Sequence, residues 1–278
     1  MRRGFVVGAL ALALAIPVAG CGRDAEPQAP PETEPTLELL SIIFPEGFTR
    51  AEMADRVAAV RTIAIEDRGV TPRLTRPGYV TATAAVLPPP AFRKDAGGRI
   101  EGFLFPATYE FTQFTPAKRL VADQIATFRK KWALLDLSYA RSKNLTPYDV
   151  LIIASMIEKE TAVPDERRLV SAVIYNRLRN DMPLGIDATI RYGLDIPGTE
   201  SLTKEALRTD SPYNSRLRKG LPPTPIANPG LAAMRAAARP ADVPYLFYVR
   251  KPGSLRHYFT ASESDFLRTV CEYGYSCD

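Results

Sequence analysis

The sequence predicts an α+β fold in which a helix-rich C-terminal region with small β-hairpins follows a shorter strand, turn and helix. Apolar residues recur at intervals of three and four between Val121 and Leu135, which is the spacing of an amphipathic helix. Aromatic and β-branched residues fill Tyr245–Val249 and Arg256–Thr260, with a Pro-Gly pair between them, as expected of a hairpin. With 278 residues and 46% hydrophobic content, the chain can bury a substantial core.

Residues 1–21 have the pattern of an export signal. Arg2 and Arg3 precede an apolar run, and small residues lie directly before Cys21. This pattern resembles a bacterial lipoprotein signal, in which cleavage leaves Cys21 carrying the lipid. The alternative is a single uncleaved transmembrane helix, for which the run is marginally short. Both interpretations predict an exported protein anchored to the outer face of the bacterial cytoplasmic membrane, with residues 22–35 as a disordered, Pro-rich tether.

A small module is predicted over residues 36–112. It begins with an apolar strand at Leu37–Phe44, followed by a turn. Thr49 and Glu52 have the spacing of a capping box, so a helix is predicted to start there and to run to about Val60.

The second half of this module has fewer regular signals. Its prolines, including the triplet at 88–90, predict an irregular loop over residues 68–100. The aromatic segment 101–111 at the junction has two interpretations, a platform on which sugars stack or a strand packed in the core. Beyond it, residues 113–278 are predicted to form the larger, helix-rich domain.

The stretch Leu151–Thr161 places two carboxylates at the end of an otherwise apolar helix. Thr146 is a suitable N-cap and Pro147 suits the first turn, so the helix is predicted to begin near Pro147. Helical spacing puts Glu160 on an apolar face and Glu158 on the opposite side. Burial and the negative end of the helix dipole would both raise the pKa of Glu160, as a proton donor requires. The alternative is that both acids only solvate a helix end.

A series of segments around this stretch matches one known family in order. They are Ala154–Thr161, Val173–Leu178, Met182–Leu184, Asp187–Gly193, Ser211–Asn214, Gly220–Gly230 and His257–Thr260. The chain thereby resembles the endolytic murein transglycosylase family, known as MltG or YceG-like. Several motifs in one order are far more specific than any single motif.

The resemblance implies an enzyme whose catalytic acid is Glu160. The positions it implies for substrate binding are Asn176, Asp187, Thr189, Tyr192, Tyr213, Asn214 and His257. The implied activity is that of a peptidoglycan lytic transglycosylase, a lyase that cleaves the MurNAc-β-1,4-GlcNAc bond without water and leaves 1,6-anhydroMurNAc ends. Such an enzyme would terminate nascent glycan strands in cell-wall synthesis or remodelling, with peptidoglycan synthases as partners and without a cofactor.

The resemblance extends weakly to the N-terminal part. The strand, turn and helix of residues 36–112 are similar to a reduced form of the family's LysM-like module. Family members are usually held by a transmembrane helix, so the lipoprotein-type signal is a departure. Two other functions remain open: a scaffold that binds glycan strands without cutting them, and a hydrolase that pairs Glu160 with Asp187.

Composition excludes some other classes. The net charge of +5 is spread without a dense basic block, which argues against nucleic acid as a partner. Three cysteines and one histidine lack the spacing of metal ligands, so the sequence predicts no metal site. In an exported protein, Cys271 and Cys277 are predicted to close a small disulfide loop at the C-terminus.

Overall fold

The structure is a computed structural model that describes residues 38–275, and these belong to one compact unit. The longer helices are α1 (Arg50–Arg68), α2 (Arg76–Ala85), α4 (Ala117–Trp132), α6 (Pro147–Glu160), α7 (Arg167–Arg179), α8 (Asp187–Leu194), α10 (Leu231–Ala238) and α11 (Glu263–Glu272). The shorter ones are α3 (Arg93–Ala96), α5 (Ser138–Ser142) and α9 (Lys204–Arg208). The strands are β1 (Leu40–Ile43), β2 (Thr108–Phe111), β3 (Phe247–Arg250) and β4 (His257–Thr260).

The described strands form two small antiparallel sheets. In the first, β1 pairs with β2 so that Leu40 lies opposite Phe111. In the second, β3 pairs with β4, which confirms the predicted hairpin near the C-terminus. The mixture of many helices with small antiparallel sheets confirms the α+β prediction at this level.

Helix α1 begins as predicted but ends later. Thr49 and Glu52 form both hydrogen bonds of a capping box, since each side chain accepts from the other residue's backbone N–H. The helix then continues past Val60 to Arg68, so the predicted end was wrong. Gly69 closes it in the left-handed conformation, at φ 63°, where the missing side chain avoids a steric cost.

The prediction of an irregular loop over residues 68–100 was wrong, because α2 and α3 lie within it. The side chain of Thr75 caps α2 by accepting from the backbone N–H of Gly78. Pro77 lies in the first turn of α2, where its missing N–H costs no helical hydrogen bond.

The aromatic segment 101–111 is part of the core. The ring of Phe103 is fully buried and packs edge-on against Phe92 and Phe128, at centroid distances of 5.0 and 5.1 Å. Phe105 and Phe111 are also buried. Phe111 lies on β2, whereas Phe103 and Phe105 lie before the strand begins. The predicted core strand is therefore confirmed for Phe111, and the alternative of a sugar-stacking platform was wrong for all three buried rings.

Helix α6 runs through the middle of the larger region and carries both acids at its end. Thr146 and Asp149 cap its start reciprocally, which confirms the predicted beginning at Pro147. Every residue from Val150 to Ile157 is buried, because α7 and α10 pack against the helix. Beyond this buried stretch the helix becomes partly accessible to solvent in its last turn, where Glu158 and Glu160 lie.

Most of the segment 185–193 is helical, since α8 begins at Asp187. Gly193 serves close packing rather than a turn. A Cβ atom there would lie 2.5 Å from the Cβ of Tyr213, so only glycine allows this approach.

Several predictions concern residues outside the described range. The signal at residues 1–21, the lipidated Cys21, the tether at 22–35 and Cys277, the predicted disulfide partner of Cys271, all lie there. Among the helices of residues 38–275, none combines the length and apolar character that crossing a bilayer requires.

Candidate active site

Glu160 is the last residue of α6, and one oxygen of its half-buried carboxyl group is held by a tyrosine. The hydroxyl of Tyr248 on β3 donates a hydrogen bond to Oε2 of Glu160 at 2.7 Å. A single tyrosine donor leaves the other carboxyl oxygen available for a ligand. The hydrogen bond from Tyr248 fixes the orientation of the Glu160 carboxyl group.

The ring of Tyr248 is fixed by the β3–β4 hairpin. It packs edge-on against His257, with ring centroids 5.4 Å apart, and against Phe259 at 5.7 Å. His257 is fixed in turn by Glu166, whose Oε2 lies 2.7 Å from Nδ1 of the imidazole and whose Oε1 accepts from the backbone N–H of His257. The side chains of this pair are only 8% and 5% exposed, so they form a buried support behind Tyr248.

Asp187 and Arg216 lie on the more open side of the acid. Nε of Arg216 donates to Oδ1 of Asp187 at 2.7 Å, and both side chains are nearly half exposed. Both act on Glu160 electrostatically, since Asp187 raises the pKa of Glu160 and Arg216 lowers it. We call Glu160, Tyr248, Asp187, Arg216 and His257 the acid cluster.

The pKa of Glu160 is raised above its ordinary value, in the predicted direction. Burial is the main cause, because a carboxylate loses hydration when it is enclosed. The hydrogen bond from Tyr248 and the nearby His257 oppose the rise by favouring the charged form. A raised pKa lets Glu160 hold its proton to higher pH than an ordinary carboxyl group and makes it a better acceptor after it has donated that proton.

Glu158 has a different role, as the helical wheel predicted. Its Oε2 accepts the backbone N–H of Gly230 at 2.8 Å, and Oε1 lies 4.0 Å from Nη2 of Arg167. Its pKa is also raised by burial. The hydrogen bond to Gly230 joins the end of α6 to the start of α10, so Glu158 stabilises the packing of these two helices.

Two of the other predicted site residues lie together in a separate place. Tyr192 and Tyr213 pack edge-on with centroids 5.2 Å apart. The hydroxyl of Tyr192 donates to Oε2 of Glu101 at 3.3 Å, and that of Tyr213 lies 2.8 Å from Oγ1 of Thr224. This group lines a cavity beside the acid cluster.

Three predicted site residues have partners within the fold. Asn176 donates to the backbone carbonyls of Val243 and Tyr245, which guide the chain into β3. The Asn214 amide donates to the carbonyls of residues 207 and 209 and is buried. The hydroxyl of Thr189 is buried against Ser215 and Ile186. Each supports a neighbouring loop or strand, and their roles in binding substrate stay predictions.

Sequence reasoning did not single out Tyr248, Glu166, Arg216 or Glu101. Tyr248 was recognised only as part of an aromatic strand, and its contact with Glu160 joins positions 88 residues apart. Alternation along β3 gives each residue a face but does not show what lies opposite it. For Glu101, the one available signal was a charged residue at the start of an aromatic, buried segment.

Comparison with known proteins identifies the family of this chain. The model of the YceG-like family matches residues 30–272. A protein named endolytic murein transglycosylase from Streptococcus pneumoniae R6 is 31% identical over 265 residues, which cover 91% of this chain and 46% of that protein. One of the same name from Bacillus subtilis 168 is 32% identical over 160 residues, covering 58% of this chain and 44% of that protein. The chain spans about half the length of the curated relatives it matches.

A solved structure has the same fold. The crystal structure of a putative YceG-like protein from Listeria monocytogenes superimposes with a TM-score of 0.66 at 25% identity, covering 82% of this chain and 75% of that one. The family match extends over the acid cluster and over the sheets on either side of it. This chain therefore belongs to the YceG-like family.

Proposed function

We propose that the chain is a peptidoglycan lytic transglycosylase with Glu160 as its single acid and base. The observation that carries this proposal is the enclosed Glu160 carboxyl, whose Oε2 is held by Tyr248 while burial raises its pKa. The names of the relatives from S. pneumoniae and B. subtilis support the same reaction class.

The reaction proceeds in two proton transfers. Glu160 first donates its proton to the glycosidic oxygen, so the bond to C1 of MurNAc breaks and the electron pair leaves with GlcNAc. The C6 hydroxyl then attacks C1, and the Glu160 carboxylate takes its proton. The anhydro ring forms, and the acid is restored without water. Asp187, paired with Arg216, provides negative charge near the oxocarbenium-like state.

Product analysis separates this mechanism from its two rivals. Digestion of purified sacculi by the full chain is expected to release muropeptides with 1,6-anhydroMurNAc ends, which mass spectrometry identifies by the loss of one water. A hydrolase that uses Glu160 and Asp187 as a pair would give reducing ends instead. A scaffold would bind the sacculi and release neither product, and either of these results would overturn the proposal.

Tyr248→Phe is expected to lower kcat by roughly 10- to 100-fold, because it removes one hydrogen bond to a charged group. It is also expected to move the pH profile. The hydrogen bond from Tyr248 lowers the pKa of Glu160, so its loss raises that pKa further. The acid then keeps its proton to higher pH, and the alkaline limb of kcat/KM shifts upward.

Tyr245→Phe is the matched control for this experiment. Tyr245 lies just before β3, and its ring stacks on Phe259, but its hydroxyl has no hydrogen-bond partner within residues 38–275. The control should retain both the rate and the pH profile of the wild type. A Tyr248→Phe variant that loses rate without any shift of the alkaline limb would contradict direct action on Glu160.

The proposal includes an exported, membrane-anchored protein. Its support is the signal pattern at residues 1–21, in which Cys21 would be the lipid attachment site. Alternatively, the apolar run of this segment would serve as a single transmembrane helix. Residues 36–112 would act as the reduced LysM-like module beside the catalytic domain at 113–278. Glycan strands are the substrate, and termination of nascent strands would place the enzyme beside peptidoglycan synthases.

A further inference from the structure

Residues 129–143, at the end of α4 and through α5, carry most of the net positive charge of the chain. Five basic residues and one acidic residue give this stretch a net charge of +4, against +5 for the whole chain. The basic residues are Arg129, Lys130, Lys131, Arg141 and Lys143. Among the residues that the structure describes, none of these five side chains takes part in an ion pair, whereas Arg119 earlier on α4 pairs with Asp123. We call residues 129–143 the α4–α5 surface.

Asp136 is the single acid of this surface, and its charge is engaged locally. Its carboxyl group accepts hydrogen bonds from the backbone N–H and the hydroxyl of Ser138, at 2.9 and 3.0 Å. These hydrogen bonds, followed by the charges of Arg141 and Arg239, lower the pKa of Asp136. Because Arg239 at the end of α10 lies near enough to act on Asp136, it adds a further positive charge beside the surface. The α4–α5 surface is therefore strongly basic despite Asp136.

Two exposed side chains with apolar surface lie among these charges. Leu134 is 61% exposed in the turn that follows α4, where its backbone N–H donates to the carbonyl of Lys131. Tyr139 on α5 is 39% exposed. Its ring meets that of Tyr175 edge-on at a centroid distance of 5.5 Å, and Nζ of Lys143 lies over it at 5.3 Å. An exposed leucine and a tyrosine surrounded by lysine and arginine are typical of a surface at a membrane interface.

The α4–α5 surface lies at the opposite end of α6 from Glu160. Helix α5 leads into α6, and the backbone N–H of Leu145 donates to the carbonyl of Ala140 at 3.1 Å just before α6 begins. Glu160 is the last of the 14 residues of α6, which makes that helix about 20 Å long. A partner that covers the α4–α5 surface therefore leaves the acid cluster open.

The chemistry of this surface fits a bilayer that contains anionic phospholipids. Lysine and arginine are attracted to the phosphate groups of such a leaflet, and leucine and tyrosine gain by leaving water at the level of the headgroups. An anionic polymer in solution would satisfy the charges but would leave Leu134 in water. The signal pattern at residues 1–21 also predicts that this protein works beside a membrane.

We propose that the α4–α5 surface rests on a bilayer containing anionic phospholipids, with Leu134 and Tyr139 at the level of the headgroups and the surrounding basic side chains against the lipid phosphates. This contact is separate from the anchor at residues 1–21, and it rests on the proposed location of the chain at a membrane. Contact at the start of α6 turns Glu160, at the other end of that helix, away from the lipid. The surface therefore orients the chain on the bilayer, in addition to any attachment through the N-terminus.

Trp132 allows this contact to be measured in the full chain, because it is the single tryptophan of the sequence. Its half-buried ring stacks on Phe128 and meets Phe92 edge-on, two residues before Leu134. The full chain is reconstituted with vesicles of phosphatidylcholine, alone or mixed with an equal amount of phosphatidylglycerol, each containing some lipid that is spin-labelled at its headgroup. We expect Trp132 fluorescence to be quenched at least about three-fold more in the mixed vesicles, and about 0.5 M salt should remove most of this difference.

Lys130→Glu combined with Lys131→Glu is expected to lower the ratio of quenched to unquenched fluorescence about ten-fold or more in the mixed vesicles. Lys118→Glu combined with Lys251→Glu is the matched control, since both side chains are exposed outside the α4–α5 surface and the net charge changes equally. Leu134→Ser should lower the ratio several-fold although it changes no charge, because the apolar side chain no longer enters the headgroup region. Melting temperatures of all variants show whether the fold is retained.

Equal quenching in the two kinds of vesicle, or an equal loss in the matched control, would overturn the inference. Flotation with the phosphatidylcholine vesicles reports the anchor separately. If the chain floats with them but Trp132 is quenched in neither kind of vesicle, the proposed anchor stands and the surface contact is refuted. If the chain does not float with them, although mixed vesicles quench Trp132 and the change of Lys130 and Lys131 prevents this, the surface contact stands and the proposed anchor fails.

Binding to purified sacculi distinguishes a bilayer from an anionic polymer of the cell wall. We expect the variant with Lys130→Glu and Lys131→Glu to bind sacculi as the wild type does. Sacculus binding that is lost in this variant, without quenching of wild-type Trp132 by either kind of vesicle, would assign the α4–α5 surface to a wall polymer and overturn the proposal.

Discussion

Glu160→Gln is expected to lower the release of anhydromuropeptides from purified sacculi by about 10²- to 10⁴-fold, which is the usual contribution of general acid–base catalysis. The amide can still accept the hydrogen bond from Tyr248, so the local packing is preserved. It has no proton to give to the glycosidic oxygen and does not take one from the C6 hydroxyl. The loss should appear in kcat, measured by product mass spectrometry over time.

Glu158→Gln is the control for this prediction, because it makes the same change two positions earlier on α6. Its side-chain oxygen can still accept from the backbone N–H of Gly230, and only the long contact with Arg167 loses charge. We expect this variant to retain most of its activity. A reversed result, with Glu158→Gln inactive and Glu160→Gln active, would show that the acid has been misassigned.

Asn228→Ala is expected to destabilise the fold by roughly 3 kcal/mol or more. The Asn228 amide is fully buried, and its Oδ1 accepts from the backbone N–H groups of Gly102 and Leu104 at 2.9 Å each. Its Nδ2 donates to the carbonyl of Phe48 and to Glu101. Alanine would leave all four groups without this partner, and the two backbone N–H groups of Gly102 and Leu104 lie where the hydrogen bond is buried.

Thermal unfolding measures this effect. A loss of about 3 kcal/mol corresponds to a fall in Tm of roughly 6 to 12 °C for a chain of this size. Asn180→Ala is the control, since Asn180 is exposed and its amide donates only to the carbonyl of Asn176 at the end of α7. A fall in Tm no larger than that of the control would show that Asn228 does not join these segments.

The elements that depend on neighbours in sequence could be predicted. The start of α6 follows from Thr146, Pro147 and Asp149, which act within one turn. Helix α2 was missed because Pro77 was interpreted as a loop signal, although proline also suits the first turn of a helix. The need for glycine at position 193 in α8 could not be predicted, because its contact with Tyr213 is tertiary.

The candidate site also contains both residues that could be predicted from the sequence and residues that could not. Glu160 could be nominated from helical spacing, since the apolar residues on its side of the helix and its position at the helix end are both local. Tyr248 and Asn228 could not, because their partners lie 88 residues away in one case and more than 120 in the other. Those contacts depend on how the helices and hairpins pack, which periodicity does not determine.

The order of these contacts along the chain has a consequence for how the site assembles. Tyr248 lies on a hairpin near the C-terminus, so a polypeptide that emerges with its N-terminus first completes α6 before it acquires the hydroxyl that holds Glu160. Glu160 would remain without its hydrogen-bond donor until the C-terminal hairpin has been made. A chain that ended before the hairpin would contain α6 and Glu160 but lack Tyr248.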